Sequence, residues 1–380
     1  MTQNIIGISP CFPRPARPDY GPYAYKLYNE MARQGADISV IAPYPLIRVL
    51  SEKIVFRPKA VNKDSQSSIK RILRPPWWSW STRVFPSSLV MRMNFNNFSR
   101  SVKRAAGLLP RPDWVSAYFF EAGCAALTAF GTRIPIYVEI GESDFKAYEQ
   151  YMSPHEIGNW LKKFTGVIAV SLPNFKLIQH YADLGEKAFL LESGIDISTF
   201  RPRDRNRVRS ILNLPGDAFI VGFTGSFIER KGPLRLLKAL EKIPEAFGLF
   251  LGRGPQKPRG KKVLYSGQVR NEIVPLFLSA CDVYCLPSLA ESLSCAELEA
   301  AACGIPLVVS DRPFNRAFLS ENHAIFIDPL SVDSIADGIK VLLRNQNLRD
   351  KMAVECRLLA QRYSLSNRVK RLFNIVSKMG

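Results

Sequence analysis

The chain lacks any uncharged apolar run near the roughly 18 residues that a bilayer-crossing helix needs, which excludes a transmembrane span. It has no internal repeat and no low-complexity tract, so neither a solenoid nor a disordered composition fits. Histidine is scarce, with only His155, His180 and His323 in 380 residues. None of them stands at zinc-ligand spacing from Cys281 and Cys285, and no Asp-x-Asp motif offers a divalent cation two nearby carboxylates. The seven cysteines are an odd number scattered through predicted strands and helices. They read as reduced core residues of a cytoplasmic protein rather than a disulfide framework. The first ten residues lack a basic stretch followed by a long apolar one, and read as a first strand instead of a signal peptide.

Acidic residues are also in short supply: 33 Asp and Glu face 52 Lys and Arg, a formal charge of +19. The imbalance is concentrated. Between Ser51 and Arg111 there are thirteen Lys or Arg and two acids, Glu52 and Asp64. The same segment carries Trp77, Trp78 and Trp80 beside Arg74 and Arg83. Cations interleaved with indoles suit an anionic membrane surface, where tryptophan sits at headgroup level. Single-stranded nucleic acid is a rival partner for such a pattern, and a basic solvated loop with its tryptophans packed inward is the plain alternative. The expected partner is the membrane and not nucleic acid.

Strands and helices alternate along most of the chain. Ile5–Ile8 reads as a strand, Tyr23–Gln34 as a helix stopped by Gly35, and Ile38–Ile41 as a second strand. From Leu46 to Arg111 the pattern is poor and implies long loops and short helices. Alternation resumes with a helix near Ala122–Phe130, strands at Ile134–Ile140 and Val167–Val170, a helix at Asn174–Tyr181 and a strand at Ala188–Leu191. After an arginine- and proline-bearing linker from Phe200 to Gly216, a second series of strands starts at Phe219–Phe223. Such alternation implies α/β domains with parallel sheets covered on both faces. Two halves give two Rossmann-like domains, 1–200 and 201–363, facing a central cleft. The segment 364–380 is expected to be a helix that crosses back to the first domain.

Two segments concentrate chemistry. In the run from Pro287 to Asp311, Ser294 and Glu297 have the spacing of a capping box that starts a helix near Cys295, and Gly304 is its expected stop. Free amides at such a helix start face anions. Glu291 precedes them and Glu299 follows eight residues later, so the two carboxylates are better partners for sugar hydroxyls than for phosphate. Earlier, the strand Phe219–Phe223 leads into Gly225-Ser226, then Arg230-Lys231-Gly232-Pro233. Here Gly225 permits close backbone approach, and Arg230 and Lys231 bring positive charge to a strand's carboxyl end.

Gly225 followed six residues later by Lys231-Gly232, paired with Glu291 and Glu299 ahead of Ala302-Cys303-Gly304-Ile305-Pro306, resembles the retaining GT-B glycosyltransferases of family 4. Val167–Ser171, Gly194–Pro202, Gly252–Pro255 and Ala280–Ser288 extend the likeness. It spans about residues 165 to 365 well and the N-terminal 160 loosely. The resemblance implies a nucleotide diphosphate sugar as donor, with Lys231 on the diphosphate and Glu291 on the sugar hydroxyls. The amides of Leu293, Ser294 and Cys295 would also meet the diphosphate, and Glu299 the ribose. No metal or other cofactor is implied. Three positions depart from the family pattern. Ser226 stands where arginine is common, so Arg230 is expected to share the phosphate role. Gly21, between Tyr20 and Pro22, replaces a glycine pair at the donor. The N-domain histidine is absent, and Glu142 and Asp144 follow that strand instead. Glu142 is therefore assigned to catalysis with Glu291 and Lys231, and Asp144 to the acceptor, with helix capping or a solvated position as the alternative for both.

The activity this implies is transfer of a sugar to a hydroxyl of a glycan or lipid-linked glycan, in cell-surface polysaccharide synthesis. The expected location is cytoplasmic, peripheral at the inner face of the membrane. Rival readings are an epimerase or sugar-phosphate synthase on the same fold, and a catalytically silent scaffold in a membrane complex.

Overall fold

The computed structural model describes residues 3–14, 20–46, 67–80, 87–142, 144–291 and 293–379. The chain divides into two compact units, one of Met1–Glu192 with Arg368–Gly380, the other of Ser193–Asn367.

Unit 1 contains strands β1 (Asn4–Ile8), β2 (Asp37–Ile41), β3 (Tyr44–Pro45), β4 (Arg71–Leu73), β5 (Pro76–Trp77), β6 (Trp114–Tyr118), β7 (Ile136–Ile140), β8 (Gly166–Ala169) and β9 (Ala188–Leu190). Its helices are α1 (Pro22–Arg33), α2 (Ser88–Ala106), α3 (Phe120–Phe130), α4 (Pro154–Lys163) and α5 (Leu172–Tyr181). Seven strands form a parallel sheet in the order β4-β2-β1-β6-β7-β8-β9, and β3 pairs separately with β5. Strand order reverses between β1 and β6, which makes their carboxyl ends the crevice where such sheets take ligands.

Unit 2 contains β10 (Phe219–Thr224), β11 (Ala246–Leu251), β12 (Val263–Gly267), β13 (Val283–Leu286), β14 (Leu307–Ser310) and β15 (Ala324–Ile327), in the order β12-β11-β10-β13-β14-β15, all parallel. Its helices are α6 (Arg205–Ile211), α7 (Pro233–Glu241), α8 (Val274–Ser279), α9 (Cys295–Ala302), α10 (Pro313–Arg316), α11 (Val332–Arg344) and α12 (Gln346–Arg362). Every residue of β10 is buried, which is why the sequence shows an unbroken apolar run there and no alternation. The reversal point lies between β10 and β13, and the two chemistry-bearing segments follow these two strands.

The last helix, α13 (Leu365–Met379), joins unit 1 from Arg368 onward. Arg368 donates to the buried carboxylate of Glu139 at 2.6 Å and to the Glu192 carbonyl at 2.9 Å. Tyr137 donates its hydroxyl hydrogen to the Val376 carbonyl, and Trp114 packs edge-on against Phe373. Both units are therefore α/β with parallel sheets, as the alternation implies.

Two expectations change. The poorly patterned region holds a 19-residue helix, α2, in place of short ones. Ser87 caps it by accepting from the Val90 amide, and Phe95, Phe98, Val102 and Ala105 form its buried stripe. Its outer face mixes Leu89 and Met93 with Arg92, Arg100, Lys103 and Arg104, which blurs the period. The strand β6, central in its sheet, is likewise hidden in Trp114-Val-Ser-Ala-Tyr, where one polar residue breaks an already short apolar run.

Candidate active site

The unit 2 loops after β10 and β13 are tied together. Leu289 donates its amide hydrogen to the Arg230 carbonyl at 2.8 Å, and Arg235 donates to the Pro287 carbonyl at 2.9 Å. Arg230 also donates to the Ala290 carbonyl. Gly232, at φ 73°, is where the first loop turns into α7, and a Cβ there would come within 2.7 Å of the Pro287 carbonyl oxygen. Gly252 lies against the Gly225 carbonyl at a distance no side chain allows, 1.8 Å from an ideal Cβ. These contacts explain the glycines by backbone packing.

The tie brings Lys231 and Glu291 together. Lys231 Nζ lies 2.6 Å from Glu291 Oε1, with Arg230 at 3.4 Å from the same oxygen. The Glu291 and Lys231 side chains are 8% and 15% exposed, whereas Arg230 is 46% exposed. The ion pair is thus largely withdrawn from water, with a second cation at its open side. A Cβ at Gly225 would lie 3.7 Å from the aliphatic part of Lys231, and Ser226 is exposed beside it. Leu293 is half-buried, Ser294 buried, and Cys295 half-buried with its amide already donated to the Leu293 carbonyl. Glu299 is half-buried within α9. Ser292 lies outside the described residues.

The capping box does not form. Ser294 occupies the N-cap position of α9 but makes no side-chain cap bond. Glu297 is instead fully buried, and burial, reinforced by the Glu291 charge, pushes its carboxyl well above the usual range. It sits beside the Ser294 hydroxyl, yet neither group makes a well-formed hydrogen bond. Enclosed in this way, the Glu297 side chain is held away from the N-cap amide that a capping box would use. A complete capping box does form at Ser153 and Glu156, which starts α4.

In unit 1, Glu142 follows β7 and reaches the start of α3. Its Oε1 accepts from the Phe120 amide at 2.6 Å and from the Tyr148 hydroxyl at 3.1 Å. This is the helix-capping arrangement weighed for it from sequence. Burial holds its carboxyl at about 7 despite these donors. Glu121 is raised to about 7 as well, by burial and by the Glu142 charge. Glu121 is thus a second acid of this cluster that sequence reading missed, since nothing in its surroundings marks it before α3 is placed beside β7. Asp144 is exposed, two residues beyond Glu142. Phe119, between β6 and α3, holds φ 84°, a strained value for a non-glycine residue at this same edge. Gly21, at φ 65°, packs against the Cys11 carbonyl, so its need for glycine is met by the loop before α1.

The tryptophans divide. Trp77 is half-buried, its ring 5.8 Å from Phe98, whereas Trp78 and Trp80 are 60% and 49% exposed. The expected outward trio is therefore a pair. Arg74 is half-buried with its guanidinium over the Phe12 ring, and Arg83 lies outside the described residues.

Residues 204–357 match the model of the glycosyl transferases group 1 family. That span contains Gly225, Lys231, Glu291 and Glu299 together. This part of the chain is similar to the group 1 glycosyltransferases. Among its relatives, the Bacillus subtilis glycosyltransferase TuaC, assigned to teichuronic acid biosynthesis, is 25% identical over 350 residues, 88% of each chain. The phosphatidyl-myo-inositol mannosyltransferase of Mycobacterium tuberculosis is 28% identical over 382 residues, covering 94% of this chain and 93% of the relative. Among solved structures, sucrose-phosphate synthase from Thermosynechococcus elongatus superposes with TM-score 0.76 at 17% identity over 99% of both chains. Anabaena HepE in complex with UDP-glucose superposes with TM-score 0.71 at 16% identity, over 99% of this chain and 100% of that one. The fold is that of the GT-B proteins, with two Rossmann-like domains. No helix among the described residues is long and apolar enough to cross a membrane.

Proposed function

We propose that this protein is a glycosyltransferase that moves a sugar, with retention at the anomeric carbon, from a nucleotide diphosphate sugar to a hydroxyl of a lipid-linked glycan in cell-surface polysaccharide assembly. The observation that carries the reading is the buried Lys231–Glu291 pair with Arg230 at its open side, at the reversal point of a parallel sheet. A diphosphate entering there meets two cations and the start of α9. A sugar attached to it meets the Glu291 carboxylate. The UDP-glucose complex of HepE supports a nucleotide sugar as donor. The names of TuaC and of the mycobacterial enzyme support a cell-envelope acceptor.

In the reaction the bond from the anomeric carbon to the diphosphate oxygen breaks, and a bond to the acceptor oxygen forms on the same face. The acceptor proton passes to the departing diphosphate. Lys231 and Arg230 stabilise the negative charge that grows on the leaving group, and they are in place before it grows. No metal is invoked in this scheme. Glu142 and Asp144 stand at the unit 1 sheet edge as acceptor-side groups, and Glu299 within α9 serves the ribose.

The exposed pair Trp78 and Trp80, with the cations of α2, would meet an anionic inner-leaflet surface and hold the enzyme peripherally. The deciding test is a transfer assay that offers a panel of UDP-, GDP- and ADP-sugars to the enzyme with membrane extract as acceptor. Lys231→Ala should lower kcat/KM with the productive donor by about 100-fold or more. Unchanged turnover would remove Lys231 from the diphosphate, and absence of transfer from every donor would remove the activity itself.

A further inference from the structure

Unit 2 encloses a carboxylic acid that the proposed chemistry leaves unused. Glu297, in the first turn of α9, is 0% exposed, and among the described residues neither of its carboxyl oxygens has a hydrogen-bond partner. The Ser294 hydroxyl beside it is buried and likewise unpartnered among them. Burying polar groups without partners costs stability, so two of them together in a packed interior call for a reason.

The surroundings narrow that reason. The groups that act on the Glu297 carboxyl are the Glu291 and Lys231 charges and the Ser294 hydroxyl. On the β13 side stand Tyr284 and Cys285, both fully buried. The Tyr284 hydroxyl is already committed to Thr224, at 3.2 Å from its carbonyl oxygen and 3.0 Å from its side-chain oxygen. Lys231 is taken by Glu291 at 2.6 Å. Shut off from water and left without a counter-charge of its own, the Glu297 carboxyl keeps its proton. It is therefore an O–H donor held in reserve, next to a carboxylate whose close partner is a single lysine.

On the donor reading proposed above, on which this inference rests, that lysine turns to the diphosphate and Glu291 turns to the sugar. The Glu291 side chain is 8% exposed, so its carboxylate is released where a charge without a partner is costly. We infer that Glu297 is a positioning residue for the donor sugar: its O–H supplies the hydrogen bond that Glu291 loses when the diphosphate draws Lys231 away. The Ser294 hydroxyl both accepts and donates, and can relay that bond. A hydrogen bond from an acid to a carboxylate is charge-assisted and short, so it fixes the direction in which Glu291 meets the sugar.

Two measurements on the full-length protein test this. Infrared difference spectra between wild type and Glu297→Gln at pH 8 should show the carbonyl stretch of a protonated carboxylic acid. Saturating inorganic pyrophosphate should move that band to lower frequency, because the O–H gains a stronger acceptor. The shift should vanish when Glu291→Gln is added to both proteins. Absence of the band, or a band that stays in place while calorimetry shows pyrophosphate bound, would overturn the inference. Pyrophosphate that does not bind, or binds equally well to Lys231→Ala, would instead remove the donor reading and this inference with it. The second measurement is turnover with the donor that the transfer assay finds productive. Glu297→Leu removes an unpartnered polar group, so it should melt no lower than wild type. It should lower kcat about ten-fold while pyrophosphate affinity holds, and Glu297→Gln, which keeps an N–H donor there, should recover most of that loss. Equal turnover in the leucine and glutamine variants would show that Glu297 only fills space, and would overturn the inference. If Glu297→Leu does not fold, the infrared bands decide alone.

Discussion

At the scale of single residues, the most consequential feature is that Lys231 already holds an anion. Glu291 occupies the position of its counter-charge, and both are largely removed from water. On the proposed reading a donor exchanges one partner for another, its diphosphate taking Lys231 and its sugar taking the released carboxylate. Glu291→Gln should separate these two roles. Binding of the bare nucleoside diphosphate should tighten by about ten-fold, because the competing anion is gone, while sugar transfer falls by about 100-fold. Titration of the two ligands side by side checks this, and parallel loss of both would show that Glu291 only maintains the loop. Glu142 offers a second residue-scale prediction. Its carboxyl is raised to about 7 in the folded protein, against about 4.5 for an unhindered glutamate. The folded state then binds more protons than the unfolded state between those values, so the stability contribution is full below about 4.5 and is lost as pH rises through 7. Glu142→Gln keeps an acceptor for the Phe120 amide and removes the titration. The melting temperature of the variant relative to wild type should rise steadily from pH 5 to pH 8. A difference that stays flat with pH would place the titration elsewhere.

At the scale of elements, the segment Pro76–Trp80 and α2 act as one unit. Trp77 faces the buried Phe98, while Trp78 and Trp80 are exposed, as are Leu89 and Met93 of α2. Trp78→Ser/Trp80→Ser should weaken partition onto anionic vesicles by about ten-fold or more without moving the melting temperature. Trp77→Ser should do the opposite, costing about 3 kcal/mol or more of stability through the cavity beneath Phe98. Equal effects of both changes on vesicle binding would contradict this division. The same segment shows where sequence reading stops. The strands of unit 2 were legible because parallel strands buried on both faces are continuous apolar runs, and Phe219–Thr224 is one. The association of Lys231 with Glu291 was legible too, through the loops that follow two such strands. The helix α2 was not, because exposed Leu89 and Met93 sit on its outer face and disturb the stripe made by Phe95, Phe98 and Val102. Nor was the fate of Glu297. The spacing from Ser294 fits a capping box, and only the packing of α9 shows that the carboxyl is enclosed.

At the scale of the whole molecule, α13 returns the end of the chain to the unit where it began. Arg368 is 5% exposed and Glu139 is 2% exposed, and each lies in the interior of unit 1. Glu139 is in the middle of the sheet, in β7, where an uncompensated carboxylate would be costly. The pair therefore makes folding of unit 1 depend on a helix encoded some 230 residues later, a contact of long sequence separation whose loop-closure cost must be met by the buried bonds it forms. Arg368→Ala should destabilise unit 1 by about 3–5 kcal/mol, because it leaves Glu139 buried without a counter-charge. Arg368→Met combined with Glu139→Leu should recover most of that loss, since a packed apolar pair often equals a buried ionic one. Denaturant unfolding monitored by exchange of the β7 amides measures both variants. If the double variant is as unstable as Arg368→Ala, the loss comes from the Arg368 bond to the Glu192 carbonyl at 2.9 Å and not from the stranded charge.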